Sequence, residues 1–171
     1  MGFNPPKQLK HSFGFSQNLE IFSIFEKTTQ MSYIKIYIHI VFSTKNRIHY
    51  FNPLELRVKI WKHIKENATE KGIFMDMVNG YSDHCHCLIS LSSNQNIENI
   101  VQLIKGESSY WINKNNLTQE KFAWQEEYFA VSVSESKIEQ VRNYIKNQNI
   151  HHQKKTFEEE YREFIERYNL K

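Results

Sequence analysis

The 171-residue sequence predicts an α+β domain built on an antiparallel sheet. Two stretches, Tyr33 to Phe42 and Tyr128 to Ser134, alternate apolar and polar residues with the period of a half-buried strand. Two others, about 53–71 and 96–114, repeat apolar residues at three- and four-residue steps, the period of an amphipathic helix. Between them, Ile73 to Val78 and His84 to Leu91 read as strands joined around Asn79-Gly80, a hairpin signal. The order strand, helix, strand, strand, helix, strand is the split βαβ, ferredoxin-like or RRM-like arrangement. It has helices on one face of the sheet and is followed here by C-terminal helices.

The first strand sets Ile34, Ile36, Ile38, Ile40 and Phe42 on one face, and Tyr33, Lys35, Tyr37, His39 and Val41 on the other. After the polar turn Ser43 to Asn46, Asn52-Pro53 supplies an N-cap and a proline at the first helical position, and Gly72 lies past the far end. Leu54, Val58, Trp61, Ile64 and Ala68 form that helix's expected inner stripe. Ile97, Ile100, Val101, Ile104 and Trp111 form that of the second. Ser136-x-x-Glu139 and Thr156-x-x-Glu159 are each a capping box, so further helices are expected from about 137 and 157. Residues 1–30 hold Asn4-Pro5-Pro6 and Gly14 and no sustained period. They read as a disordered N-terminal extension, with 19–26 able to form a helical turn; the domain is residues 31–171, with Met31 its ancestral start.

Composition removes several classes. No run of about 18 apolar residues exists to span a membrane. The patch Leu19 to Phe25 is short and carries Glu20, unlike a secretory signal. Cys85 and Cys87, two apart, fit neither a disulfide framework nor a Cys-x-x-Cys zinc site and read as small core residues of a reduced, cytoplasmic protein. The net charge of +3 is too small to name a partner. Its distribution says more: residues 35–71 hold eight Lys/Arg against three acidic residues, so the basic character concentrates in the first strand, its turn and the first helix. Lys45 and Arg47 in the turn are the candidate phosphate contacts. Trp61 falls on the apolar period and is read as core. The run Glu158, Glu159, Glu160, Glu163 and Glu166 is read as a solvated or packing helix face.

The chemistry lies in Ser82-Asp83-His84-Cys85-His86-Cys87. On a strand, His84 and His86 share one face and could converge on one ion, while the cysteines point the other way. Downstream, Tyr144 and Gln148 are four apart, one turn above another on a helix. Taken separately, each pair is more often structural than functional. His39, His151 and His152 are read as support or incidental polarity; the latter two follow the Gln148 helix, where a frayed helix end or DNA contact accounts for them equally.

Together, His84-Cys85-His86 and Tyr144-Ile145-Lys146-Asn147-Gln148 resemble the single-tyrosine HUH transposases, the small enzymes of bacterial insertion sequences and their REP-associated relatives. Also similar are Tyr37 to Arg47, Lys105-Gly106-Glu107-Ser108-Ser109, and Trp124-Gln125 ahead of Tyr128. The resemblance runs from about Met31 to Phe164. It implies a DNA transposase that cleaves single-stranded DNA: His84, His86 and Gln148 hold Mg²⁺ or Mn²⁺, and Tyr144 attacks the scissile phosphate to leave a 5′-phosphotyrosine. It implies hairpin-containing single-stranded DNA as partner, with Lys105 a further contact, a possible homodimer, no membrane, and a nucleoid-associated location. Two imidazoles and a neutral amide would leave the ion's charge for a phosphate to neutralise. No Walker-type loop is present, and exchange of one phosphodiester for another needs no nucleotide. Rival readings are a domesticated enzyme processing chromosomal repeat hairpins, a metal-dependent hydrolase using water, and an RRM-like binding module, which would expose aromatics on the middle strands.

Overall fold

The computed structural model describes residues 34–168, with side chains through Glu166. The readings made for residues 1–30 and for Met31 and Tyr33 lie outside the described residues. Four strands, β1 (Ile36–Ser43), β2 (Phe74–Gly80), β3 (His84–Leu91) and β4 (Phe129–Val133), form one antiparallel sheet in the order β2-β3-β1-β4. The helices are α1 (Leu54–Glu70), α2 (Ile97–Lys114), α3 (Ile138–Lys146), α4 (Gln148–His151) and α5 (Phe157–Tyr168). This is the split βαβ order with a helical C-terminal third.

Alternation along the strands divides the molecule into two layers of different chemistry. Because β1 pairs with β3 in the register Phe42↔Cys85 and Ile40↔Cys87, one face carries Ile38, Ile40, Phe42, Cys85, Cys87 and Ile89. That face packs against Ile60, Trp61 and Ile64 of α1 and Ile100, Val101 and Ile104 of α2 to form the main core. Both cysteines are fully buried there and unlinked. The partner register Val41↔His86 and Ser43↔His84 sends the histidines to the opposite face. There Leu88 meets Ile138 and Ile145 of α3, with Tyr37, Met77, Val133, Val141 and Tyr144 around them. The aromatic surface required of an RRM-like module is absent among the described residues: on the middle strands this face carries His39, His84 and His86, all buried.

Several local expectations change. Leu54 and Val58 are exposed; the inner stripe of α1 is Arg57, Ile60, Trp61, Ile64 and Ala68, and the N-cap is Pro53, not Asn52. On α2 the last inner position is Ile112, while Trp111 is half-exposed and stacks on His63 at 3.8 Å. Thr156 and Glu159 do close a capping box: Thr156 N–H donates to Glu159 Oε2 at 2.8 Å, and Glu159 N–H donates to Thr156 Oγ1 at 3.3 Å. Ser136 and Glu139 do not. A 3₁₀ turn, Glu135–Lys137, leads into α3 and makes Lys137 the N-cap, and the Glu139 carboxylate pairs with Arg142 instead.

The motif stretches around Ser108 and Trp124 serve the core. Trp124 Nε1 donates to Ser108 Oγ at 2.9 Å, and Ser108 Oγ donates to the Ile104 carbonyl at 2.6 Å, so a buried chain of hydrogen bonds ties α2 to the segment entering β4. Both polar groups are satisfied, which lets them sit in an apolar layer without the cost of an unpaired donor.

Candidate metal and nucleophile site

The site is built where β3 leaves the β2–β3 turn. Gly80 is required there: a Cβ would lie 2.1 Å from the His84 carbonyl oxygen, so only glycine permits the close approach that turns the chain into His84. His84 and His86 are both buried, their rings 5.0 Å apart edge to face. Gln148 is fully buried too, and its Oε1 lies 3.3 Å from His84 Nε2. The three sequence-predicted ligands are therefore in one place, although α3 breaks at Asn147 and Gln148 opens α4 instead of continuing the tyrosine helix. Asn79 secures that break, its Nδ2 donating to the Ile145 and Lys146 carbonyls at 2.8 and 3.1 Å. Those carbonyls end α3 without intrahelical partners, so one β2 side chain fixes the helix end to the sheet. Arg142 adds a second tie, 2.7 Å from Asp76.

The hydrogen-bond partners select the imidazole tautomers. Asp83 Oδ1 lies 2.8 Å from His84 Nδ1. Burial pushes the Asp83 carboxyl up, but the His84 hydrogen bond and neighbouring imidazoles outweigh it and hold it below its ordinary value. An ionised carboxylate only accepts, so Nδ1 carries a proton and donates to it, and Nε2 is the nitrogen turned toward Gln148 Oε1. His39 Nε2 contacts His86 Nδ1 at 3.1 Å, leaving His86 Nε2 without a hydrogen bond. Burial depresses His39 to about 4 and drives His86 well below its usual value, with the neighbouring imidazoles adding to the effect on His86. Imidazoles held by a neighbour through one nitrogen, with the other turned inward, have the form of metal ligands oriented by outer partners.

Tyr144 stands beside this cluster, its ring 5.5 Å from that of His86 and 6.2 Å from that of His39. It faces a cavity of about 580 Å³ shared with His39, Lys137, His151 and Lys155. The nucleophile expected from sequence and the three expected ligands thus share one side of the sheet, with the tyrosine on the open side and the imidazoles inside.

Two residues that sequence reasoning set aside enter the same cluster. Glu160, read as part of a solvated face, is only 7% exposed. Its carboxylate lies 3.5 Å from His86 Nε2, 4.0 Å from His84 Nε2 and 3.0 Å from His152 Nε2, yet neither oxygen makes a hydrogen bond. Burial raises its carboxyl to about 8, with the Asp83 charge adding to the effect. His152, which a frayed end would explain, is held by Nδ1 on the Lys155 carbonyl, and its Nε2 lies 3.0 Å from Gln148 Oε1. The available signal was the period of α5: Phe157, Glu160, Tyr161 and Phe164 share one helical face, and a glutamate inside an otherwise aromatic stripe marks a buried acid.

The expected DNA contacts lie elsewhere. Arg47 sits at φ 54° with its guanidinium 5.1 and 5.4 Å from the Phe157 and Tyr161 ring centroids, so it braces α5. Lys45 is exposed in the same turn, its N–H donating to the Ala123 carbonyl at 2.9 Å. Lys105 lies on α2, the helix of the opposite face, and donates to the Glu126 carbonyl at 2.7 Å.

The family model described as "Transposase IS200 like" matches residues 32–148. The chain belongs to the IS200-like transposase family. The match begins just before β1 and ends at Gln148, so it spans the whole sheet and the Tyr144 helix and stops short of His152 and α5. Among solved structures, a candidate transposase from Deinococcus radiodurans R1 is 25% identical with a TM-score of 0.55, covering 70% of this chain and 94% of that one. A REP-associated tyrosine transposase bound to a REP hairpin is 14% identical with a TM-score of 0.53, covering 72% of each chain, and is similar in fold. Comparison with curated proteins finds no match. Among the described residues of this transposase-family chain, no helix is long and apolar enough to cross a membrane.

Proposed function

We propose that this IS200-like transposase cleaves and rejoins single-stranded DNA through a covalent bond to Tyr144, with a divalent metal held by His84, His86 and Gln148. The observation that carries the reading is the tyrosine ring packed edge-on against His86 beside a cavity that Lys137 also lines. The donor chemistry fits a cation: the His84 Nε2 nitrogen and the Gln148 amide oxygen converge, and the buried His86 Nε2 has no hydrogen-bond partner. When bound, the metal would draw charge from the scissile phosphate.

The chain's own residues supply the rest. A phenol with an unperturbed pKa near 10 is a weak nucleophile at neutral pH, so its orientation matters. The His86 and His151 rings, 5.5 and 5.2 Å from that of Tyr144, restrict the phenol to one direction. Lys137 offers the DNA backbone positive charge at the cavity wall, whereas Lys155 there is paired with Glu163 at 2.5 Å. Attack by Tyr144 Oη on phosphorus releases its proton and breaks the bond to the 3′ oxygen, which takes up a proton. The products are a 5′-phosphotyrosine and a free 3′-hydroxyl. A later 3′-hydroxyl reverses the step with no nucleotide consumed.

Residues 31–171 are assigned to this catalytic unit and residues 1–30 to an N-terminal extension. The substrate is read as a single strand containing a hairpin, a reading supported by the REP hairpin held by the relative of similar fold. Lys45 is the sequence-predicted phosphate contact left most open to solvent; Arg47 and Lys105 are engaged with the protein.

The test uses end-labelled hairpin-containing strands that the protein itself selects from a random pool. With Mn²⁺ or Mg²⁺ present, a denaturation-resistant adduct is expected, and Tyr144→Phe should lose it. An adduct of undiminished yield in Tyr144→Phe would remove Tyr144 from its role.

A further inference from the structure

We infer that His152 and Glu160 are metal ligands alongside His84 and Gln148, giving a site built for a transition-metal dication and completed by residues beyond the segment that the family model matches. The inference rests on the metal reading proposed above and concerns which residues and which metals it involves.

The argument begins from hydrogens. The Lys155 carbonyl, 3.0 Å from His152 Nδ1, can only accept, so that nitrogen carries a proton and Nε2 is the one turned toward Gln148. His84 Nδ1 likewise donates to Asp83. Gln148 Nε2 points to the Tyr144 carbonyl at 3.5 Å, which turns the amide oxygen inward. Gln148 Oε1 then lies 3.3 Å from His84 Nε2 and 3.0 Å from His152 Nε2. Glu160 Oε2 completes the group, 3.0 Å from His152 Nε2 and 4.0 Å from His84 Nε2. The ligand atoms of His84, His152 and Glu160 all lie within 4.8 Å of one another. Four side chains able to donate a lone pair therefore face a common centre. Buried acceptors facing acceptors repel, and a cation between them turns every one of these contacts into attraction. His86 Nε2, 3.5 Å from Glu160 Oε1 and without a hydrogen bond, borders the same centre.

The donor set also discriminates between metals. Mg²⁺ takes oxygen ligands and keeps several waters, whereas imidazole nitrogens suit Fe²⁺, Ni²⁺, Cu²⁺ and Zn²⁺, with Co²⁺ among them in the affinity order and Mn²⁺ below. Two or three imidazoles with one carboxylate and one amide favour the latter group. Ligation by Glu160 also changes the charge arithmetic expected from sequence: the protein itself neutralises part of the ion's charge and holds it before any phosphate arrives.

The test is metal binding to the full chain, stripped of metal beforehand and free of DNA. Isothermal titration with Co²⁺, Mn²⁺ and Mg²⁺ is read together with the visible spectrum of bound Co²⁺, which reports ligand type and number. Expected is binding of Co²⁺ at least about tenfold tighter than Mg²⁺, and tighter than Mn²⁺. Glu160→Gln, which keeps shape and removes the charge, and His152→Asn should each weaken Co²⁺ binding about tenfold or more and alter its spectrum. Circular dichroism establishes that each variant is folded, and the two variants report independently. Wild-type affinity and spectrum in both variants, with loss in His84→Ala, would overturn the inference and leave the three-ligand site standing. Unchanged binding in His84→Ala would overturn the metal reading itself.

Discussion

At the residue scale, Gly80 shows how a position with no chemistry of its own governs a site. Its Cα hydrogen faces the His84 carbonyl so closely that Gly80→Ala forces the β2–β3 turn apart by more than an ångström at the point where the first imidazole is set. The expected cost is about 2 kcal/mol or more, the range for a side chain with no room in the native backbone. Urea denaturation should show it, and Co²⁺ affinity should fall in parallel because His84 moves with the turn. A variant of wild-type stability would mean that the turn relaxes without strain. The sequence signalled a hairpin at Asn79-Gly80 but not this reason for it, since close approach depends on which strand register is adopted. Asn79 is similar: read as a turn residue, it caps the end of α3 across the sheet, a contact 66 residues away that no local pattern encodes.

At the element scale, the strands, α1 and α2 were legible because each repeats its apolar residues with a clean period over two turns or more. Alternation put His84 and His86 on one face and the four-residue step put Tyr144 beside Gln148. Only the resemblance to single-tyrosine HUH transposases joined the two pairs, and the helix in fact breaks between Tyr144 and Gln148. What could not be read was α5's position. Its run of glutamates suggests solvent, and only the tertiary fold brings one of them under the sheet. Arg47 and the Thr156 capping box anchor that helix at its N-terminal end, where Phe157 stacks on His84 at 4.3 Å. Removing the cap with Thr156→Ala should cost about 1 kcal/mol, and that loss should be concentrated in α5. Hydrogen exchange should therefore accelerate in the amides of 157–166 while those of β1 and β3 keep their protection. Uniform acceleration across the sheet would show instead that α5 and the sheet open as one unit.

At the scale of the whole molecule, the sheet separates two functions. One face is an apolar core with α1 and α2; the other carries donors that come from β3, from α4 and its end, and from α5. A metal ion there joins residue 84 to residues 148, 152 and 160, a set the unfolded chain does not bring together, so it binds the folded state more tightly and stabilises it by mass action. At a free Co²⁺ concentration about a hundred times the Kd the gain is about 2.7 kcal/mol, or a rise of roughly 5–10 °C in Tm for a domain of this size. EDTA should reverse it, and His84→Ala should abolish it. A core substitution on the other face provides the control. Ile60 is fully buried in α1, and Ile60→Val should lower Tm through a loss of about 0.5–1.5 kcal/mol. Because the sheet stands between Ile60 and the donors, the two effects should add, and the Co²⁺ increment in Ile60→Val should match that of the wild type. A reduced increment there would mean that packing against α1 sets the positions of the imidazoles, making the sheet a transmitter between its faces instead of a partition.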